Sequence, residues 1–167
     1  LIAQETQNLP QAKVWLEQAY EQAMLESEGW TQAFVMNFLA DVLREMGDFD
    51  QAAFLAQKSL RLFTELDDSY YLPDAQMTLA QIALDQGEYE LASALAEIIH
   101  TQYEARDEPA AVASVLLLQS ELSWKMGFRE EAAALLAHSL TLRQSVTRAI
   151  SPHEQAHYDT VAALITR

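Results

Sequence analysis

The sequence contains no cysteine. Disulfide bonds and thiolate metal sites are therefore excluded, and the absence agrees with a reducing, cytoplasmic location, which we expect for this protein. Long apolar runs are also missing: stretches such as residues 115–118 are far shorter than the roughly 20 residues that a transmembrane helix requires. The first residues lack the basic start and apolar stretch of a secretory signal peptide.

Basic residues are scarce. The chain has 10 Lys and Arg against 25 Asp and Glu, which gives a net charge of −15. Binding to a phosphate backbone requires clustered Lys and Arg, and the sequence has no such cluster. We therefore expect this segment to bind neither nucleic acid nor membranes directly, and its acidic balance favours a basic protein or peptide partner.

Glycine and proline are rare as well, with four residues of each, and β-branched residues do not form alternating runs. Ala, Leu, Gln and Glu dominate instead, and these residues favour helix. The composition therefore predicts an all-α protein.

Three of the glycines recur at a constant interval in similar surroundings. Each begins a six-residue stretch that ends in alanine, at Gly47–Ala52, Gly87–Ala92 and Gly127–Ala132. Residues 7–12 fall in the same register, with Gln in place of Gly. A constant period of about 40 residues is typical of helical repeat arrays, in which neighbouring helix pairs share one core.

Each unit is predicted to contain two helices joined at the glycine. The apolar residues before Gly47 recur at three- and four-residue intervals, which is the helical period. Glycine ends that helix because it adopts the left-handed conformation at low cost. Asp48 is a candidate N-cap for the next helix, with Gln51 completing a capping box. The predicted helices span residues 11–27, 32–46, 50–66, 73–86, 90–105, 109–126, 130–146 and 152–166.

The unit resembles the tetratricopeptide repeat. Two repeats match the glycine–aromatic–alanine signature of its turn, at Gly47, Phe49 and Ala52 and at Gly87, Tyr89 and Ala92. Their first helices carry the Leu–small pair of the family at Leu39–Ala40 and Leu79–Ala80. The third repeat departs from both patterns, with Gln119–Ser120 and Phe128–Arg129 at the corresponding positions.

This resemblance implies a right-handed superhelical solenoid of antiparallel helix pairs, forming a single domain over residues 1–167. Its expected parts are a partial repeat, three full repeats and a terminal helix, at 1–31, 32–72, 73–112, 113–150 and 151–167. The period is longer than that of the usual tetratricopeptide unit. Longer units of this kind resemble the C-terminal regions of large bacterial ATP-dependent transcriptional regulators of the LuxR and antibiotic-regulatory types. We therefore expect an excised C-terminal piece of such a protein.

The resemblance also implies a concave binding surface, lined by the first helix of each pair. Its expected partner-binding residues are Asn37, Asp41, Arg44, Glu45, Met77, Gln81, Asp85, Glu121, Trp124 and Lys125. The same pattern adds Phe34, Asp74, Leu84, Ser114 and Leu117, of which the two leucines are alternatively core residues. The row offers amides for a peptide backbone, acids for basic side chains and Trp124 as an anchor. The alternative is that these residues are only solvated helix faces.

Two acidic and two aromatic residues lie in the predicted loop between the helices at 50–66 and 73–86. Asp67 and Asp68 are interpreted as solvated loop residues. Tyr70 and Tyr71 are expected to pack under the loop, with contact to a partner as the alternative.

The stretch from His153 to His157 reads HEQAH and fits the zinc-protease pattern H-E-x-x-H. A catalytic zinc requires a third protein ligand, and Asp159, the acidic residue that follows, is too near in sequence to fold back. A capping box explains the same residues: Ser151 is the N-cap, Pro152 takes the first helical position, and Glu154 follows three residues after the cap.

We therefore expect no catalytic site, no metal and no cofactor. The sequence is interpreted as a non-catalytic protein interaction or sensor module whose partner is a protein or peptide segment. A zinc-dependent hydrolase that uses HEQAH is one alternative. The other is an architectural scaffold that forms homodimers through its end faces.

Overall fold

The computed structural model describes residues 8–26, 29–147 and 150–166. Within these ranges the chain forms eight α-helices and no β-strand, which confirms the all-α class. The helices are α1 Leu9–Glu26, α2 Gly29–Glu45, α3 Phe49–Glu65, α4 Leu72–Gln86, α5 Tyr89–Ala105, α6 Pro109–Lys125, α7 Arg129–Ser145 and α8 Pro152–Ile165. All eight predicted helices are present, although the predicted end of the first helix, residue 27, lies outside the described ranges.

The chain divides into two compact units, an N-terminal unit that ends at Gln86 and a C-terminal unit that begins at Gly87. The N-terminal unit contains α1 to α4 and the C-terminal unit contains α5 to α8. Within each unit, every helix packs against the next one in chain order, and α2 also contacts α4 as α6 contacts α8. This packing confirms the predicted pairs of α2 with α3 and of α6 with α7. None of the helices in the described residues combines the length and apolarity needed to cross a membrane.

The turn inside each helix pair contains a glycine in the left-handed region. The φ angles of Gly47, Gly87 and Gly127 are 82°, 81° and 91°, as the sequence predicts. In the first of these turns, the N–H of Asp48 donates to the carbonyl of Leu43 at 2.9 Å, which satisfies the end of α2. The carboxylate of Asp48 then accepts a hydrogen bond from the N–H of Gln51 and caps α3.

Replacing Gly47 with alanine is expected to lower the free energy of unfolding by about 1–2 kcal/mol. A Cβ at this position meets no atom within 4 Å, so the cost is backbone strain alone. The matched control is Gly29→Ala in the first turn of α2, where φ is not positive and a Cβ makes ordinary contacts at 3.7 Å and beyond. Urea unfolding should show no loss for that control, and equal losses in both variants would contradict the argument.

The turns that follow α3 and α5 use aspartate in the left-handed region. Asp67 and Asp107 have φ angles of 54° and 56° and lie at the same repeat position. Aspartate tolerates this conformation better than most residues because its short polar side chain can bond locally. This second recurring turn was not predicted from the sequence.

Two buried serines fasten the second helix of a pair to the first. The hydroxyl of Ser59 donates to the carbonyl of Ala33 at 2.7 Å, and the hydroxyl of Ser139 donates to the carbonyl of Ala113 at 2.6 Å. Both serines have no exposed surface, so each hydroxyl requires such a partner. The same bond thus holds α3 on α2 and α7 on α6.

Candidate binding site

A cavity of about 260 Å³ opens between α2 and α4 of the N-terminal unit. Four residues of α2 line it, and four residues of α4 line it at the same repeat positions, one repeat further on. The pairs are Phe34 with Asp74, Asn37 with Met77, Phe38 with Thr78, and Asp41 with Gln81. Phe63 of α3 and Tyr71 of the loop before α4 complete the lining. This pairing shows that the two helices lie in register across the cavity.

The wall of the cavity is aromatic. The ring of Phe34 meets the rings of Phe38 and Tyr71 edge-on, with centroids 4.7 and 5.5 Å apart, and stacks on Trp30 at 5.1 Å. Phe38 stays 49% exposed, although a phenylalanine at a helix–helix contact is normally buried. The cavity therefore presents an open aromatic face to solvent.

The loop before α4 is held in place by Asp68. One carboxylate oxygen accepts hydrogen bonds from the N–H groups of Tyr70 and Tyr71, at 3.0 Å each. The other accepts a hydrogen bond from the indole N–H of Trp30 at 3.0 Å. Asp68 thus lies in a loop, as interpreted from the sequence, and its carboxylate also holds the backbone of that loop. Tyr71 packs against Phe34 as expected for a residue under the loop, whereas Tyr70 is 57% exposed.

An ion-pair network adjoins the cavity. The guanidinium of Arg44 donates to Asp41 Oδ1 from two nitrogens at 3.1 Å each and to Asp85 Oδ2 at 3.0 Å, and it lies 3.7 Å from Glu45 Oε1. Burial lowers the pKa of Arg44, but the attraction of Asp41 and Asp85 outweighs burial, so the pKa is raised overall. Three carboxylates thus lie around one guanidinium.

The structure groups the predicted binding residues of the N-terminal unit in one place. Asn37, Asp41, Met77 and Gln81 line the cavity. Arg44, Glu45 and Asp85 form the adjoining network. Leu84 is only 5% exposed. It is therefore a core residue, which was the alternative given for the two leucines.

Three lining residues were not predicted from the sequence, Phe38, Phe63 and Thr78. The tetratricopeptide pattern assigns residues 34, 37 and 41 of α2 to the binding surface and omits residue 38. The helical period gives that position directly, because residues i, i+3, i+4 and i+7 share one helix face. Phe38 also follows the apolar period of α2, which by itself indicates a core position.

The predicted residues of the C-terminal unit have different surroundings. Glu121 Oε2 lies 3.5 Å from His157 Nε2, and the guanidinium of Arg129 lies over the ring of Trp124 at 4.9 Å. Lys125 is exposed at the end of α6. Trp124 therefore already has a cation on its face, which leaves less of the ring available as an anchor for a partner.

The contact between α6 and α8 is filled where the contact between α2 and α4 is open. Leu117 and Leu118 occupy the repeat positions of Asn37 and Phe38, and both are buried. Tyr158 of α8 packs on Leu117 and is 2% exposed. Its hydroxyl lies 2.8 Å from Ser139 Oγ. Burial raises the pKa of Tyr158.

The HEQAH stretch forms the first turns of α8. Ser151 Oγ accepts a hydrogen bond from the N–H of Glu154 at 3.1 Å, which confirms the predicted N-cap. The carboxylate of Glu154 does not close the capping box; it accepts a hydrogen bond from Nε of Arg143 at 2.9 Å, and Arg143 is 8% exposed. In the ranges that the structure describes, no three His, Asp or Glu residues form a group that could hold a metal.

Replacing His153 and His157 together with alanine is expected to change the free energy of unfolding by less than about 1 kcal/mol. His153 is exposed, and the ion-pair contact of His157 with Glu121 is long. Urea unfolding and metal analysis of the purified protein check this expectation. One zinc per chain, lost in the double variant, would show that the histidines form a metal site after all.

Comparison with known proteins agrees with this architecture. Residues 1–65 match the family model of the tetratricopeptide repeat. The crystal structure of BtubC (BKLC) from P. vanneervenii is similar to the chain with a TM-score of 0.74 and 18% sequence identity, over 98% of this chain and 67% of that chain. Among curated proteins, none matches the chain significantly. The protein thus has a tetratricopeptide-like helical repeat fold.

Proposed function

We propose that this chain is a non-catalytic interaction module that binds a peptide segment of a partner protein in the cavity between α2 and α4. The observation that carries the proposal is the cavity itself, lined in register by two successive repeats and open at Phe38. Its volume lies below the roughly 300–1,000 Å³ of pockets for drug-sized ligands, so it suits the side chains of a peptide.

The lining matches the needs of a bound peptide. An apolar side chain placed on Phe38 and Met77 removes both from water, which contributes about 25 cal/mol for each Å² of apolar surface buried. The amides of Asn37 and Gln81 can bond the backbone of the segment. Asn37 Oδ1 is buried and has no hydrogen-bond partner in the described residues, so this acceptor gains most from a donor on the peptide.

The wider context follows from the resemblance of the repeats. A module of this kind serves as the C-terminal sensor or interaction region of a larger cytoplasmic signalling or transcription-regulating protein. The neighbouring coding sequence tests this part of the proposal, because an upstream nucleotide-binding motif or a DNA-binding domain would support it. A zinc hydrolase is not favoured, because the glutamate of HEQAH is held by Arg143 in an ion pair.

A displayed library of random dodecapeptides, panned against the purified domain, tests the binding function. The matched variants are Phe38→Ser in the cavity and Phe54→Ser on α3, since Phe54 is 56% exposed and lies outside the lining. Enriched peptides should lose about tenfold or more of their affinity with Phe38→Ser and little with Phe54→Ser.

Two outcomes would contradict this function. One is a library that yields no peptide dependent on Phe38. The other is a concentration-dependent dimer, seen by sedimentation, that Phe38→Ser abolishes, because the cavity would then bind a second copy of the chain.

A further inference from the structure

The aromatic rings at the surface of this chain differ in whether a cation lies over them. Phe54 is 56% exposed, and Lys58 Nζ lies 4.4 Å from the centroid of its ring. The guanidinium carbon of Arg129 lies 4.9 Å from the ring centroid of Trp124. Phe38 is 49% exposed, but none of the described residues places a cation over its ring. Because the face of an aromatic ring attracts cations, Phe38 offers a place for a cation that comes from a binding partner.

Hydrogen-bond acceptors without donors lie beside Phe38 in the lining of the cavity. Asp41 follows Phe38 by three residues on α2, and residues at this interval are neighbours on the helix surface, with Cβ atoms about 5–6 Å apart. Both hydrogen bonds from Arg44 to Asp41 end on Oδ1, so Oδ2 accepts none from the part of the chain that the structure describes. Gln81, at the repeat position of Asp41 on α4, makes no side-chain hydrogen bond within the described ranges.

The guanidinium group of arginine combines the two properties that this part of the cavity calls for. It carries five N–H donors in one plane and no acceptor. It also stacks on aromatic faces and is more weakly hydrated than the ammonium group of lysine. None of the ten lining residues is Lys, Arg or His, so a partner has to supply such a group. A guanidinium that lies on Phe38 can donate, in its own plane, to Asp41 and to the amide oxygen of Gln81.

We infer that the anchor of the bound peptide segment is an arginine side chain, whose guanidinium lies on the ring of Phe38 and donates to Asp41 Oδ2. This inference rests on the peptide-binding function proposed above and assigns the partner its chemistry. The aliphatic stem of the arginine packs on Met77 and supplies the apolar contact in the cavity. Lysine fits less well, because its ammonium group cannot stack as a plane on the ring.

Short peptides that differ in one side chain test the inference. The probe is Ac-GSRSG-amide, and its matched controls replace Arg with Lys, with the neutral but planar citrulline, or with norleucine, which keeps only the stem. Titrations are followed by NMR of the ¹³C-labelled methionine methyls, since Met77 lines the cavity whereas Met36 is buried in the core. The probe should shift the Met77 methyl but not that of Met36, and should bind about threefold to tenfold more tightly than each control.

Protein variants separate the ring from the carboxylate. Phe38→Leu keeps an apolar side chain without a ring face and should reduce the preference for Arg over Lys to about twofold or less. Asp41→Asn keeps an oxygen that accepts from Arg44, and it should weaken the probe about twofold to fivefold and reduce its dependence on salt. The norleucine peptide should bind this variant as it binds the unaltered protein, because the apolar part of the cavity is unchanged. Asp50→Asn makes the same change of net charge at an exposed position outside the lining and should leave all affinities unchanged.

The possible failures differ from one another. If the Lys or citrulline peptide binds as tightly as the probe, or if the probe leaves Met77 unshifted at millimolar concentration, the arginine anchor is wrong. Free L-arginine that binds as tightly as the probe would assign the site to a small molecule and overturn the peptide anchor. If the displayed library yields peptides that depend on Phe38 but lack arginine, the inference fails while peptide binding stands. If no peptide of any kind depends on Phe38, the proposed function fails as well.

Discussion

Replacing Tyr158 with alanine is expected to lower the free energy of unfolding by about 3–5 kcal/mol. The side chain is 2% exposed and packs with Leu117 and Val161, so its removal leaves a void between α6 and α8. The hydrogen bond between its hydroxyl and Ser139 is lost at the same time. Urea unfolding gives the loss, and hydrogen exchange of α8 should show where the structure opens first.

The matched control is Tyr158→Phe, which keeps the ring and removes only the hydroxyl, at a cost of about 1 kcal/mol. Because burial raises the pKa of Tyr158 above its ordinary value of 10.0, the unfolded chain releases this proton first as the pH rises. The resulting contribution to stability is present below about pH 10 and is lost above it. The Phe variant lacks this contribution. Equal losses in the Ala and Phe variants would show that the ring does not fill the contact.

Replacing Asp68 with alanine is expected to lower the free energy of unfolding by about 2–3 kcal/mol, because three hydrogen bonds to one carboxylate are lost. The same change should weaken peptide binding, since the loop positions Tyr71 in the wall of the cavity. Urea unfolding measures the first effect, and titration with a peptide enriched from the displayed library measures the second.

Two neighbouring substitutions control this prediction. Asp68→Asn retains one oxygen that can accept the bonds from Tyr70 and Tyr71 and should lose less stability than the alanine variant. Asp67→Gly should gain up to about 1 kcal/mol, since glycine adopts its φ of 54° without strain. A large loss at Asp67 combined with none at Asp68 would refute the assignment of the loop contacts.

The helices and their pairing could be predicted because the signals are local and recur. The evenly spaced glycines mark the turns inside the pairs, and the apolar period marks the helices between them. The turns at Asp67 and Asp107 could not be predicted in the same way, because aspartate serves equally well as an N-cap, a loop residue or a left-handed turn. The backbone angle alone distinguishes these uses.

The binding site was predictable only in part. Asn37, Met77 and Gln81 follow from the repeat position of each residue on its helix. The openness of the cavity does not, because it depends on the side-chain volumes that helices of two successive repeats bring together. Thr78 leaves space between α2 and α4, whereas Tyr158 fills it between α6 and α8. The bond from Trp30 to Asp68 joins residues far apart in the sequence, which no local pattern reveals.

The pairwise lining of the cavity has a consequence for how such sites can arise. Each repeat unit supplies one half of a cavity, and the unit beside it supplies the other half. Duplication of a single unit would therefore create a new recognition site without any new residue, and shuffling units would yield new specificities by recombining existing halves. In this chain, different side chains at a few shared repeat positions leave a cavity between α2 and α4 and fill the equivalent contact between α6 and α8.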